Sequence, residues 1–75
     1  MASLVYKDHF IIALARADNG SGLWRPEVDI SWKDDGGLDC HLLTGKSFQD
    51  KKEAERVGVE MGKDWVDRRL LGWSC

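Results

Sequence analysis

The chain has 75 residues, of which 43% are hydrophobic and 32% charged, a balance typical of one small globular domain rather than of a disordered segment. Eleven Lys and Arg residues against thirteen Asp and Glu residues give a formal net charge of −2. This near balance argues against a general nucleic-acid binder, because such proteins usually carry a basic excess.

The sequence also bears on location. It has no apolar run of about 20 residues, the length that a membrane-spanning helix requires. Its N-terminus lacks the basic start and continuous apolar stretch of a secretory signal peptide. We therefore expect a cytoplasmic protein in which both cysteines, Cys40 and Cys75, are reduced, and a disulfide between them only as a minor alternative.

The first predicted element is a strand over residues 9–17, although its alanines leave a helix open. Both of its faces are apolar, because Phe10, Ile12 and Leu14 alternate with Ile11, Ala13 and Ala15. We expect the first set to face the core and the second set to lie on the outer face. Residues 1–8 are expected to be a loosely ordered lead-in.

The second predicted strand, residues 23–33, has the clearest alternation of the chain. One face carries Trp24, Pro26, Val28, Ile30 and Trp32, and the other carries polar residues, as in an antiparallel sheet with one solvated face. Pro26 cannot donate a hydrogen bond, so its nitrogen should lie on an unpaired side or near the start of the strand. A turn at 34–37 leads to a third strand, residues 38–43, whose residues Leu38, Cys40 and Leu42 are expected to point inward.

The last predicted element is a helix that begins after an N-cap at Asp50 and ends near Leu71, with Gly72 as its stop signal. Glu53 follows the cap by three residues, the spacing of a capping box. Taken together, the elements predict an α+β fold of β-β-β-α order. A three-stranded antiparallel meander carries one C-terminal helix across its apolar face. The whole chain, 1–75, is expected to be one domain with its core over about 9–71 and loosely ordered ends, 1–8 and 72–75.

Two glycines interrupt this helix, Gly58 and Gly62, and each costs an isolated helix about 1 kcal/mol relative to alanine. We interpret them as positions where the absence of a side chain lets the bulky side chains of the sheet approach the helix backbone. The alternative is a helix–helix contact between two copies, which a small-xxx-small spacing can support in membranes.

Motifs that resemble catalytic or metal sites are incomplete. "TGKS" (44–47) lacks the first glycine of a phosphate-binding loop and the parallel strand–helix context. Among His9, Asp39, Cys40 and His41, the cysteine points away from its two neighbours on the strand, so the four side chains cannot converge on one ion. No base accompanies Cys40, which we expect to be a buried small hydrophobe. We therefore predict no enzyme activity, no catalytic residue, no metal and no cofactor.

The helix and the segment before it resemble small uncharacterised bacterial proteins with a three-stranded sheet and one C-terminal helix. The resemblance covers about residues 9–68 and is carried by Phe48, Glu53, Ala54, Gly58, Gly62, Trp65, Val66 and Asp67. These positions form a packing pattern rather than a catalytic motif. The resemblance implies a fold and no established activity.

The leading functional hypothesis is a non-catalytic protein-interaction or regulatory module, with self-association as its simplest form. Exposed apolar patches and unpaired sheet edges often mark partner sites. The candidate partner surface consists of Ile11, Ala13, Ala15 and Leu43. An equal alternative is that residues 1–7 or the tail around Trp73 cover this face.

The rival hypothesis is a nucleic-acid-binding accessory domain. It would need folding to gather a local basic patch from Lys7, Arg16, Arg25, Lys33 and Lys46. Two carboxylates on the polar face of the second strand, Glu27 and Asp29, would repel phosphates at its centre.

Overall fold

The computed structural model describes residues 1–18 and 20–72 and contains one antiparallel sheet and one helix. The strands are β1 (Ala2–Tyr6), β2 (His9–Asp18), β3 (Leu23–Asp34) and β4 (Gly37–Thr44), in the order β1-β2-β3-β4. The helix, α1 (Lys51–Leu70), packs mainly on β2 and β3. The α+β class, the antiparallel meander and the C-terminal helix are confirmed, but the sheet has four strands rather than three.

The additional strand is β1, where the sequence analysis expected a loosely ordered lead-in. Leu4 pairs with Ile11 and Tyr6 with His9, and both Leu4 and Tyr6 pack against the core. The turn that joins β1 to β2 contains no glycine, yet both of its residues have positive φ, 49° at Lys7 and 65° at Asp8. Two positive φ values suit a two-residue hairpin, and the missing glycine is why the turn was not predicted.

The faces of β2 are the reverse of those expected. Ile11 and Ala13 are completely buried beneath α1, while Phe10 is exposed on the opposite face. The register explains this, because Ile11 lies beside Ile30 and Ala13 beside Val28. Paired residues of neighbouring strands share a face, so β2 must bury the residues that pair with the apolar face of β3.

The faces of β4 are also reversed. Leu38, Cys40 and Leu42 were expected to point inward, but all three are exposed. They pair with Lys33, Ser31 and Asp29, which form the polar face of β3. Since α1 barely reaches β4, the other face of this strand accommodates polar Asp39 and His41 at the margin of the helix.

Pro26 marks the end of the β3–β4 ladder. Beyond it, the backbone of Trp24 exchanges two hydrogen bonds of 2.7 and 2.6 Å with Phe48, on the β4 side of β3. Backbone groups alternate sides along a strand, so the nitrogen of Pro26 also faces the β4 side, where the ladder has already ended at Glu27 and Thr44. The proline therefore removes no ladder bond, in agreement with the unpaired position expected for it.

The helix has the predicted ends. The Asp50 carboxylate accepts a hydrogen bond from the Lys52 N–H at 3.1 Å, which satisfies one of the free N–H groups of the first turn. Glu53 binds Arg56 rather than completing a capping box. At the other end Gly72 has φ of 75°, and its N–H donates to the Arg69 carbonyl at 3.2 Å.

The two helix glycines provide the close approach predicted for them. A methyl group on Gly58 would lie 3.2 Å from Val28 Cγ2, and one on Gly62 would lie only 2.8 Å from Ile11 Cγ2. Both glycines are buried against the sheet. The alternative of a helix–helix contact between copies through these glycines is wrong, because the sheet already occupies that face.

The glycine geometry predicts unequal effects of alanine substitution. Gly62→Ala should destabilise the protein, because overpacking against buried Ile11 costs about 1–3 kcal/mol and exceeds the roughly 1 kcal/mol gain in helix propensity. Gly58→Ala should have a smaller effect, because its nearest neighbours, at 3.2 Å or more, leave less crowding to set against the gain in helix propensity. Urea unfolding measures both, with Glu60→Ala on the exposed helix face as the control. A Gly62→Ala protein as stable as the natural chain would contradict the packing argument.

Polar contacts hold β1 to the helix. The Asp67 carboxylate accepts hydrogen bonds from Lys7 Nζ at 2.7 Å and from the Tyr6 hydroxyl at 3.0 Å. The hydrogen bond from Lys7 is the largest cause that lowers the pKa of Asp67 below its ordinary value of 3.8. An ionised residue near the end of α1 therefore contributes to holding β1, in addition to the pairing of β1 with β2.

This contact predicts a local acid sensitivity. A lowered pKa in the folded state gives stability that is present above pH 3.8 and is lost as pH falls through the lower value. We expect amide exchange in β1 to accelerate in that range, and Asp67→Asn to show fast exchange already at neutral pH. Exchange in β3 is the internal control. Equal acceleration in both strands would point to global unfolding instead.

Candidate interaction surface

The helix covers one face of the sheet and leaves the opposite face, called the outer face below, without a covering layer. No other helix or strand among residues 1–18 and 20–72 lies over it. Large apolar side chains are exposed there: Val5 (71%), Phe10 (44%), Leu38 (73%) and Leu42 (64%). Residues 1–6 do not cover this face, because β1 lies within the sheet, and the Trp73 tail lies outside the described residues.

Part of the outer face is concave. A groove of about 510 Å³ lies near the β1–β2 and β3–β4 turns and is lined by Val5, Asp8, Phe10, Ser31, Trp32, Lys33 and Leu38. Its lining combines apolar Val5, Phe10 and Leu38 with charged Asp8 and Lys33. Protein-binding surfaces usually combine apolar and polar groups in this way.

The far end of the outer face is charged. Arg16 Nε donates to a Glu27 carboxylate oxygen at 2.7 Å, and Arg25 lies opposite Arg16 in the register. The pKa of Glu27 is lowered, chiefly by its hydrogen bond from Arg16. Exposed Asp29 lies between Ile12 and Leu42, so the centre of the face carries a carboxylate among apolar residues.

The proposed basic residues do not form one patch. Arg16 and Arg25 lie at one end of the outer face, whereas Lys33 lies at the other end, next to Leu38. Lys7 binds Asp67 near the end of α1, and Lys46 is in the loop before the helix. Folding therefore scatters the five cations and places Glu27 and Asp29 between the three on β2 and β3.

The proposed apolar partner surface is wrong in its residues. Ile11 and Ala13 are core residues, and Ala15 and Leu43 are half-buried, with Leu43 packed against the core. The exposed apolar residues are those of the opposite strand faces. Loop lengths could have revealed this, because the connections after Asp18 and Asp34 set which residues of β2 and β4 pair with the polar face of β3.

The outer edge of β4, with which no described strand pairs, is the second feature of this surface. The Trp24–Phe48 hydrogen bonds show that even-numbered residues of β3 direct their backbone groups to the β4 side. The backbone N–H and C=O groups of their partners, Asp39, His41 and Leu43, therefore point toward β3. Leu38, Cys40 and Leu42 must then direct their N–H and C=O groups outward. β4 has no Lys, Arg or Pro, the residues that commonly block a sheet edge.

Both histidines are engaged in structural contacts. His9 is buried, with Nδ1 2.7 Å from the Lys7 carbonyl and Nε2 3.1 Å from Arg69 Nη1. Since a carbonyl only accepts, Nδ1 carries the proton and Nε2 accepts from the guanidinium, which also stacks on Trp32 at 4.4 Å. His41 stacks on Trp65 with ring centroids 4.7 Å apart.

His9 and His41 lie on β2 and β4, with β3 between them, rather than on neighbouring strands. Within the described ranges, no group of three or more His, Cys, Asp or Glu side chains is placed to hold a metal ion. The "TGKS" segment ends β4 and enters the loop before α1, where the Ser47 hydroxyl donates to Asp18 at 2.9 Å.

The carboxyl groups of Asp34 and Asp39 interact beside the turn between β3 and β4, on the side of the sheet that faces the helix. A hydrogen bond to Asp34, and then its charge, raise the pKa of Asp39 above the ordinary value. The same hydrogen bond, followed by one from the Gly36 N–H, lowers the pKa of Asp34. The two carboxyl groups therefore act as a pair, which takes up its first proton at a higher pH than an isolated aspartate would.

The exposure of Cys40 yields a direct chemical test. In a Cys75→Ser protein kept dilute, a small thiol reagent should label Cys40 in native buffer nearly as fast as in denaturant, because the thiol is accessible. Labelling is followed by mass or absorbance. A reaction that waits for unfolding would contradict the outward orientation of Leu38, Cys40 and Leu42.

Comparison with known proteins identifies a family to which the sequence is similar. A family model described as "Domain of unknown function (DUF6566)" matches residues 1–73. Comparison with curated proteins and with solved structures finds no significant match. Among the described residues, no helix is long and apolar enough to cross a membrane.

Proposed function

Because the chain belongs to this family of domains of unknown function, a role must be argued from its surface, and we propose that it is a non-catalytic protein-interaction module, acting in the cytoplasm, that self-associates. The observation that carries the proposal is the outer face, which no described element covers and on which Val5, Phe10, Leu38 and Leu42 are all exposed. The expectation of an uncharacterised family is confirmed, whereas the role stays a proposal.

The exposed apolar area supports an interaction surface. Monomeric proteins rarely expose large contiguous apolar patches, because such patches favour association. Here two of the exposed apolar residues, Leu38 and Leu42, lie on β4 itself, and no described strand pairs with the outer edge of β4. A partner could therefore gain both hydrophobic burial and backbone hydrogen bonds from neighbouring parts of one surface.

The arrangement of reactive groups supports a non-catalytic role. A nucleophile needs an adjacent base that is itself oriented by a third group. Cys40 lies on the outer face, while its neighbour His41 lies on the helix-facing side against Trp65. The second histidine, His9, uses both ring nitrogens in contacts with Lys7 and Arg69.

Self-association is tested by sedimentation over a wide range of protein concentrations. We expect a reversible shift from the 8.5 kDa monomer to a dimer, which Leu42→Lys abolishes because it places a charge in the apolar surface. Leu70→Lys is the matched control, since Leu70 is also exposed but lies on α1. A monomer at every concentration would contradict the proposal.

The rival role, nucleic-acid binding, is tested with amide spectra of the protein mixed with duplex DNA at low and moderate salt. We expect no shifts, because the basic residues are scattered and carboxylates lie between them. Salt-sensitive shifts at Arg16, Arg25 and Lys33 would overturn this expectation.

Salt also distinguishes the two roles. Association of two copies through apolar side chains should persist or strengthen when sulfate is added, whereas binding to DNA should weaken as salt rises.

A further inference from the structure

We propose that two copies of this chain join through antiparallel pairing of their β4 strands, with the two Cys40 residues opposite each other, to form one continuous eight-stranded sheet. The inference rests on the proposed self-association and specifies its geometry. The two-fold axis passes through the sheet at Cys40, and both helices lie on the same face.

The backbone of β4 is prepared for such pairing. Leu38, Cys40 and Leu42 alternate along β4, and each directs its backbone N–H and C=O away from β3. Each of the three residues can therefore donate one hydrogen bond to a second strand and accept one from it. The opposite edge is less suitable. β1 has five residues against eight in β4, so it offers only Ser3 and Val5.

The side chains select one register. With Cys40 opposite its own copy, Leu38 lies opposite Leu42 of the second copy on the outer face, and each of these leucines is largely exposed in the single chain. On the helix-facing side, Asp39 lies opposite His41 of the second copy. A carboxylate and an imidazole are complementary, and cross-strand pairs of this kind stabilise a sheet.

Neighbouring registers lack this complementarity. Backbone pairing requires shifts of two residues. A shift in one direction places the two Asp39 carboxylates opposite each other, and a shift in the other direction places the two His41 rings opposite each other. Two carboxylates in directly opposed positions destabilise a sheet, and two imidazoles opposite each other form no ion pair. The sequence Leu38–Leu42 therefore complements itself about Cys40 in apolar contacts, charge and hydrogen bonding, as a two-fold interface requires.

The first test is cross-linking in a Cys75→Ser protein, where Cys40 is the sole thiol. Paired residues in an antiparallel ladder have Cα atoms about 5.5 Å apart, within the range of disulfides. Mild oxidation should give a covalent dimer linked through Cys40, whose mass and peptide map identify the bond. Oxidation forms one S–S bond, and the added oxidant accepts the two electrons and two protons.

The register is tested with displaced cysteines in a Cys40→Ser, Cys75→Ser background. Leu38→Cys protein alone should cross-link poorly, because residue 38 of one copy lies about 13 Å along the strand from residue 38 of the other. Leu42→Cys protein alone should behave likewise. A mixture of the two should cross-link readily, since these positions face each other. Equal cross-linking of each variant alone and of the mixture would overturn the register.

A charge exchange gives an independent test. Asp39→His and His41→Asp should each weaken the dimer severalfold, because each places like groups opposite one another. The double variant restores an opposite pairing and should recover the dimer. Sedimentation measures the dissociation constants, and amide spectra confirm that each variant is folded. Failure of the double variant to recover association would contradict the proposed pairing.

The outcomes separate this inference from the proposed function. A dimer in sedimentation that Leu42→Lys abolishes, but without the predicted cross-links, would overturn the β4 geometry and leave self-association through the outer face. A monomer throughout, with no cross-linking at Cys40, would overturn both.

Discussion

The close approach of α1 to the sheet is the constraint on which the rest of the structure depends. At Gly58 and Gly62 the helix backbone lies so near Val28 and Ile11 that added methyl groups would crowd them. In so short a chain, burial is limited, and this contact lets a single helix bury the apolar centre of the sheet. The helix consequently covers β2 and β3 well, and it leaves β4 at its margin.

The limited reach of the helix explains where polar residues occur. Asp39 and His41 are on the helix-facing side of β4, where a fully covered strand would carry apolar residues. The contacts of His41 are with Trp65 at the border of the helix. One helix cannot cover four strands, so within residues 1–18 and 20–72 the helix leaves β4 at its margin, and no other element covers the outer face.

The hairpin registers determine which residues of β2 and β4 share a face with the apolar residues of β3. β3 alternates clearly between apolar and polar residues, and its face assignment was correct at Val28 and Ile30. β2 and β4 contain apolar residues on both faces, so their own patterns are ambiguous. The pairing of Ile11 with Ile30 and of Lys33 with Leu38 resolves the ambiguity, and the proposed partner surface consequently moves to the other side of the sheet.

The sequence by itself determined the strong local signals: the Asp50 cap, the stop at Gly72, the alternation of β3 and the role of the two helix glycines. The cap, the stop and the alternation depend on neighbouring residues or on a period along one element. The glycines act through the distant Val28 and Ile11, but they were noticed because they interrupt a helical pattern. Tertiary structure decided the rest. β1 became a strand because Leu4 and Tyr6 found partners on β2. The exposed surface was decided by strand register and by the reach of α1, which depend on residues far apart in the chain.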